Sequence, residues 1–350
     1  MSLDHLPKIL IIRRDNIGDL VCTTPLISAL RRQLPKAWLG ALVNSYNAPV
    51  LNGNPDLDSV FVYTKAKHRG QGQSLTGILW RRLMMMRTLR QMQLDDVILA
   101  APTEQPRLVQ LARWLKPKRI IGFGNTEGLD VQLPLDGGDR HEVEDVFRIA
   151  SIYGVEGPPP ACRVTAHRAN PAHSEHPASP TSVGVVTFTV GIHISARKPS
   201  QRWPAERFVE TIRAISAVAP VRFMLLWSPG AADNPLHPGD DLKAREVMEK
   251  ITRSTAGCTV EARPTDTLTD LIAALAGCNA LICADGGAMH LAAGLGLPVV
   301  CLFGNSGANR WRPWGVPYRL LQKPSLDVAD IDVDELVSAF VSLNLGTPQP

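Results

Sequence analysis

The strongest constraint on the fold of this 350-residue chain is a pattern that runs twice: short apolar runs alternate with helical stretches, stop at a proline-rich break, and begin again. KILIIRR is apolar and of strand length, and DLVCTTPLISALRRQLP places Leu20, Leu26, Ile27, Leu30 and Leu34 at helical intervals. WLGALVN, SVFVY, DDVILAA and RIIGFG continue the series as short strands without strict alternation, which predicts parallel sheet covered on both faces. Residues 166–182 contain AHRANPAHSEHPASPTS, with three prolines and no large aliphatic side chain, and form the expected linker. Beyond it come SVGVVTFTV, a helix over 205–218, VRFMLLW, a helix over 242–254, the helical DTLTDLIAALAGC, and the strands ALICAD and PVVCLFG. The reading is two doubly wound α/β domains, at 1–165 and 183–335. DVDELVSAFVSL is an amphipathic helix with an acidic start, leading into a C-terminal helix and tail at 336–350. Such sheets bind ligands beyond the carboxyl ends of their strands.

Composition narrows the function classes. Thirty-seven Lys and Arg against 33 Asp and Glu leave a net charge of +4, too small to mark the whole chain as a nucleic-acid binder. Aromatics are 5% of residues, with no interleaved stacking platform, so no nucleic-acid partner is expected. The six cysteines form no C-x-x-C pair and sit mostly in apolar runs, the habit of reduced buried thiols. Without a leader-like segment or an apolar run of spanning length, the expectation is a cytoplasmic protein. His and Cys spacings suggest no metal site.

Four segments carry candidate chemistry. The first turn, Arg13-Arg14-Asp15-Asn16-Ile17-Gly18-Asp19, lacks G-x-G-x-x-G, which disfavours a dinucleotide-binding dehydrogenase. Its Asp19 either caps the following helix or acts as a general base on an acceptor hydroxyl. Asp285-Gly286-Gly287-Ala288-Met289-His290 follows the apolar ALIC and precedes a helix, where open backbone N–H groups suit an anion; alternatively Asp285 caps and His290 packs. Ser195, Arg197, Lys198, Ser200 and Arg202 gather before Trp203-Pro204, either to receive a leaving diphosphate or as a solvated loop. From Ser59 to Leu94 there is no acidic residue, while Lys65, Lys67, Arg69, Arg81, Arg82, Arg87 and Arg90 are cationic. That stretch suits an anionic acceptor, an anionic membrane face, or a solvated charged surface over a packed one.

Together RRDNIGDLVCTTPLISALRRQLP, ISARKPSQRWPAERF, MLLWSP and ADGGAMHLAAGLGLPVVCLFGNSGANRWRPWG resemble the lipopolysaccharide heptosyltransferase family, glycosyltransferase family 9. The resemblance implies a GT-B fold of two Rossmann-like domains, the first binding the acceptor and the second a nucleotide-sugar donor, with the last helix often returning to the first domain. It implies inverting, metal-independent transfer with no cofactor, Asp19 as base, and ADP-L-glycero-D-manno-heptose as donor. Ser195, Lys198, Gln201, Arg202, Trp227, Asp241, Asp285, Gly286, Gly287, Ala288 and His290 then fall on the donor side. Arg13, Asn16, Gly18, Arg69, Arg81 and Arg82 fall on the side of an anionic glycolipid acceptor, with peripheral contact to the cytoplasmic face of the inner membrane as a further partner.

Two departures stand out. Gln201 occupies the place where the family commonly has Lys, two positions before Trp-Pro, leaving Arg202 or Lys198 as substitutes. GAADNPLHPGDDLKARE is long and proline-rich, and either Asp240 or Asp241 is available for a ribose. The alternatives are a same-fold enzyme using another nucleotide sugar, and a non-catalytic glycan- or nucleotide-binding protein.

Overall fold

A computed structural model describes residues 6–64, 75–166, 188–234, 238–253 and 258–345. The chain divides into two compact units, Met1–Thr165 and Ala166–Pro350. Each contains one six-stranded sheet in which every pairing is parallel.

In the first unit the elements are β1 (Lys8–Ile12), α1 (Ile17–Val21), α2 (Thr24–Gln33), β2 (Trp38–Asn44), β3 (Ser59–Tyr63), α3 (Leu75–Gln91), β4 (Asp96–Leu99), α4 (Pro106–Leu115), β5 (Arg119–Phe123), β6 (Val131–Leu133) and α5 (Glu142–Phe147). The spatial order β3-β2-β1-β4-β5-β6 puts the reversal of winding between β1 and β4. Ile9 to Ile12 are fully buried, as the unbroken apolar run requires of a strand covered on both faces. The helix expected after β1 is two helices. Thr23 and Thr24 donate their hydroxyls to the carbonyls of Asp19 and Val21, ending α1 just before α2, whose first turn carries Pro25.

The second unit repeats this plan with β7 (Thr189–His193), α6 (Ala205–Val218), β8 (Arg222–Trp227), α7 (Asp241–Thr252), β9 (Thr259–Pro264), α8 (Leu268–Leu275), β10 (Ala280–Ala284), α9 (Gly287–Gly294), β11 (Val299–Phe303), α10 (Ala308–Trp311), β12 (Tyr318–Gln322) and α11 (Val333–Val341). Its order is β12-β11-β10-β7-β8-β9, so β7 and β10 flank the second reversal point. Both sheets therefore have the Rossmann order.

Two expectations fall largely outside the described residues, and one boundary moves. Of the strand expected at SVGVVTFTV, residues 182–187 lie outside the described residues, and β7 takes up its end from Thr189 to hydrogen-bond between β8 and β10. Gly191 lets it lie close to its neighbours, since a Cβ there would stand 3.0 Å from Cys278 Sγ. Of the linker expected at 166–182, all but residue 166 lies outside the described residues. Third, the helix assigned to a separate tail from 336 begins at Val333, and Leu336, Ala339 and Phe340 are buried in the core of the second unit. Its apolar face packs within that unit, against α6, β11 and β12.

Trp203 anchors the same core. It is 1% exposed, meets Phe208 edge to face at 5.1 Å, and donates its Nε1–H to the Ile331 carbonyl at 3.1 Å. The turn just before it seats on the end of β11 only because residue 304 is glycine: a Cβ there would lie 2.2 Å from the Ser200 carbonyl oxygen.

Candidate functional site

Several of the residues singled out in the sequence lie at the carboxyl ends of strands beside the reversal points, Arg13 and Asp19 after β1 and Asp285 and Gly286 after β10. In the first unit, Arg13 follows β1 directly and is only 2% exposed. Its Nη2 donates to Asp19 Oδ1 at 2.8 Å and to Glu142 Oε1 at 2.6 Å, and its Nη1 donates to the Ala100 carbonyl beyond β4. Asp15 Oδ2 lies 3.0 Å from its Nε. The guanidinium is therefore held by partners within the first unit.

Asp19 receives Arg13 on one oxygen; its other oxygen accepts from Asn16 N at 3.0 Å and Asn16 Nδ2 at 2.9 Å. Both readings of Asp19 thus have a structural basis: it closes the start of α1, and it is a fixed carboxylate at a strand end. Burial pushes its pKa up, but Arg13, and then Asn16, more than compensate and hold it below the usual carboxylate range. Asp19 is therefore ionised at neutral pH. Asn44 donates to the Arg14 carbonyl and Asn47 Nδ2 to the Asp15 carbonyl at 3.3 Å, which clamps the turn from β2. Gly18 is buried inside α1.

Arg14 and Arg82 both stack on Tyr63, at 4.0 and 4.4 Å from the ring centroid, so Arg82 of α3 is brought to the end of β3 beside the first turn. Arg81 is exposed. Arg69, with Lys65 and Lys67, lies outside the described residues. α3 also departs from a charged face over a packed one. Ile78, Met86 and Leu89 face the core, whereas Leu79, Trp80 and Leu83 are 59%, 63% and 53% exposed.

In the second unit, Gln201 Nε2 donates to Asp285 Oδ2 at 2.8 Å and to Ser306 Oγ at 3.0 Å. Lys198 Nζ reaches the same hydroxyl at 3.4 Å, and Arg202 Nε donates to the Ala196 carbonyl at 3.0 Å. The position expected to hold a cation instead carries a neutral amide that ties the loop after β7 to the end of β10. Asp285 closes the β10 ladder through its N–H to the Leu302 carbonyl. Gly286 follows in an extended conformation at the start of α9, and a Cβ there would meet nothing within 4 Å, so the space above the helix N-terminus is open. Ala288 and His290 are buried in the first turn, and His290 packs edge to face on Trp311 at 6.0 Å.

Asp241, at the start of α7, accepts from Trp227 Nε1 at 2.7 Å and Gly230 N at 2.9 Å, and these two bonds lower its pKa. Ser195 Oγ accepts from Ser228 N at 2.9 Å, joining the ends of β7 and β8. Burial, followed by the Lys243 charge, pushes His193 down to about 4, so it is neutral at neutral pH. Lys243 itself, pushed down to about 8 chiefly by burial, donates to the Ile194 carbonyl at 3.1 Å. Among the described residues no group of three or more His, Cys, Asp or Glu is placed to hold a metal.

The sequence reading did not find Glu142, Asn44, Asn47, Lys243 or Ser306. The first is 129 residues from its partner, a separation at which sequence pattern carries no signal.

The family profile of glycosyltransferase family 9 (heptosyltransferase) matches residues 82–328. The chain belongs to that family. It is thus a glycosyltransferase with the GT-B fold. It is 25% identical over 305 residues, 85% of this chain and 82% of the other, to lipopolysaccharide heptosyltransferase 3 of Escherichia coli strain K12. A family 9 glycosyltransferase from Veillonella parvula DSM 2008 has a similar structure, with TM-score 0.74 and 20% identity over 99% of both chains. So does E. coli heptosyltransferase WaaC with ADP, with TM-score 0.72 and 17% identity over 96% of this chain and 99% of that one.

Proposed function

We propose that this family 9 enzyme transfers a heptose, with inversion, from ADP-L-glycero-D-manno-heptose to a hydroxyl of lipopolysaccharide core. The observation that carries the reading is Asp19, an ionised carboxylate fixed at the carboxyl end of β1 by Arg13 and Asn16. The acceptor oxygen attacks the anomeric carbon while its proton passes to a carboxylate oxygen of Asp19. The bond from that carbon to the diphosphate oxygen breaks, and its electron pair leaves with ADP. Asp285, Gly286, Gly287, Ala288 and His290 receive the diphosphate and sugar at the α9 N-terminus; Lys198 and Arg202 supply positive charge without a metal. Trp227 and Asp241, which are hydrogen-bonded to each other, take the base and ribose. Arg82 over Tyr63, with Asn16, Gly18 and Arg81, faces the acceptor's anionic groups.

Support for the sugar and the nucleotide comes from the relatives: one is named as a lipopolysaccharide heptosyltransferase, and a similar structure holds ADP. Calorimetric titration with ADP, UDP and GDP tests the donor. ADP is expected to bind at least about tenfold more tightly than either of the others; preference for UDP or GDP moves the donor to another sugar, and no binding points to a non-catalytic protein.

The exposed stripe of α3 fits an acceptor embedded in a bilayer. Trp80, Leu83, Met84, Arg87 and Arg90 line a groove of about 620 Å³ with Trp114 of α4, and neither helix contains an acidic residue. Among the described residues no helix is long and apolar enough to cross a membrane. The pairing of exposed Trp and Leu with Arg suits peripheral contact with anionic lipid. Trp80→Ser with Leu83→Ser is expected to weaken binding to phosphatidylglycerol vesicles about tenfold while turnover of a short-chain acceptor stays the same; unchanged vesicle binding removes the stripe from any membrane role.

A further inference from the structure

One nitrogen of Arg13 serves two carboxylates, and only one of them has a place in the reaction so far. Glu142, the first residue of α5, is 1% exposed, and its Oε1 accepts from the same Nη2 that donates to Asp19. A single guanidinium next to Asp19 would make a neutral pair. The second buried carboxylate costs desolvation that a merely structural pairing does not need.

We infer that Glu142 is a positioning residue for the transfer: by sharing Arg13 it divides that cation between two carboxylates and keeps Asp19 able to accept the acceptor proton. The inference rests on the reading of Asp19 as base. An undivided guanidinium would hold Asp19 more tightly in its ionised form and make it a weaker base. Glu142 also fixes the guanidinium plane, together with the Ala100 carbonyl just beyond β4, so the oxygen of Asp19 that Arg13 holds keeps one orientation.

The other groups around this cluster do not supply the same effect. Asp15, in the same turn, is 3.0 Å from Arg13 Nε and is 33% exposed, so water screens it. Arg14, also in the turn, lies over Tyr63 of β3. From β2 and the turn after it, the neutral Asn44 and Asn47 bond the carbonyls of the first turn. On α5, Glu144 bonds the His141 N–H, and Asp145 lies within 4 Å of Arg140 and Arg148. His141 at the start of that helix accepts the Val143 N–H on Nδ1. Burial works against the Arg13 charge, while Glu142, then Asp19, then Asp15 raise its pKa overall.

The test is steady-state release of ADP by the full-length enzyme with ADP-heptose and a lipopolysaccharide-core acceptor, in five variants. Asp19→Asn tests the underlying reading: retained turnover ends it, whatever Glu142 does. Glu142→Gln keeps the shape and the acceptor oxygen for Arg13 but removes the charge. It is expected to lower kcat about three- to tenfold at unchanged donor KM, with Glu142→Asp recovering part of the loss. Arg13→Gln leaves two buried carboxylates together, which is expected to raise the acid limb of the pH–rate profile toward neutrality. Adding Glu142→Gln to that variant is expected to return the limb to lower pH and to restore activity at pH 7 about tenfold. A structural role alone predicts the opposite, because the double variant has lost still more hydrogen bonds. If Glu142→Gln leaves kcat at the wild-type value, or if the double variant is no more active than Arg13→Gln, the inference is wrong. Should Arg13→Gln not fold, Glu142→Gln and Glu142→Asp decide the matter alone.

Discussion

Replacing Asp19 with asparagine is expected to lower turnover by about a hundredfold or more while ADP affinity changes by less than about twofold. The substitution is close to isosteric, so the contacts from Asn16 that hold position 19 can be kept in part. Arg13 is not stranded by the change, because Glu142 and the Ala100 carbonyl still hold its guanidinium. A fall in kcat at unchanged nucleotide affinity therefore reports the missing base and not a collapsed fold. The same group has a stability signature. Its folded-state pKa is depressed, so the ionised carboxylate stabilises the fold above its unfolded pKa, and that contribution is lost as pH falls through the lower folded value. The advantage of wild type over Asp19→Asn in thermal denaturation should accordingly shrink on acidification below the usual carboxylate range. An advantage that grows in that direction contradicts the assignment.

The second large effect is on stability. Trp203→Ala should destabilise the second unit by about 3–5 kcal/mol, the usual cost of truncating a buried large aromatic side chain, and it also leaves the Ile331 carbonyl without its donor. Trp203→Phe should lie between the two, since it keeps ring packing against Phe208 but loses the N–H. Urea unfolding followed by circular dichroism measures both. A midpoint for Trp203→Ala equal to that of wild type would mean that this tryptophan does not anchor the core.

Much of this fold is legible in the sequence, and what is missed has a common physical cause. β1, β2, β4, β10 and β11 are apolar because both faces are covered. The edge strands β6, β9 and β12 escape notice: β9 reads TVEARP and is largely exposed, so no burial pattern marks it. α6 falls where its periodicity and the preceding proline predict. The site is legible as segments but not as contacts. I-G-D and D-G-G point to the ends of β1 and β10, yet nothing local shows that Gln201 bonds Asp285 across 84 residues, or that Arg13 turns inward to meet Glu142. Long-range pairing of this kind is set by which strands lie side by side at the reversal points, and strand order is not written in any one segment.

The most direct measurement is mass spectrometry of a lipopolysaccharide-core acceptor after incubation with the enzyme and ADP-L-glycero-D-manno-heptose. A mass increase of one heptose with one ADP released per transfer, abolished in Asp19→Asn, is the result expected. An acceptor left unmodified by ADP-heptose but extended by another nucleotide sugar, or transfer that persists in Asp19→Asn, would contradict the proposed donor in the first case and the proposed base in the second.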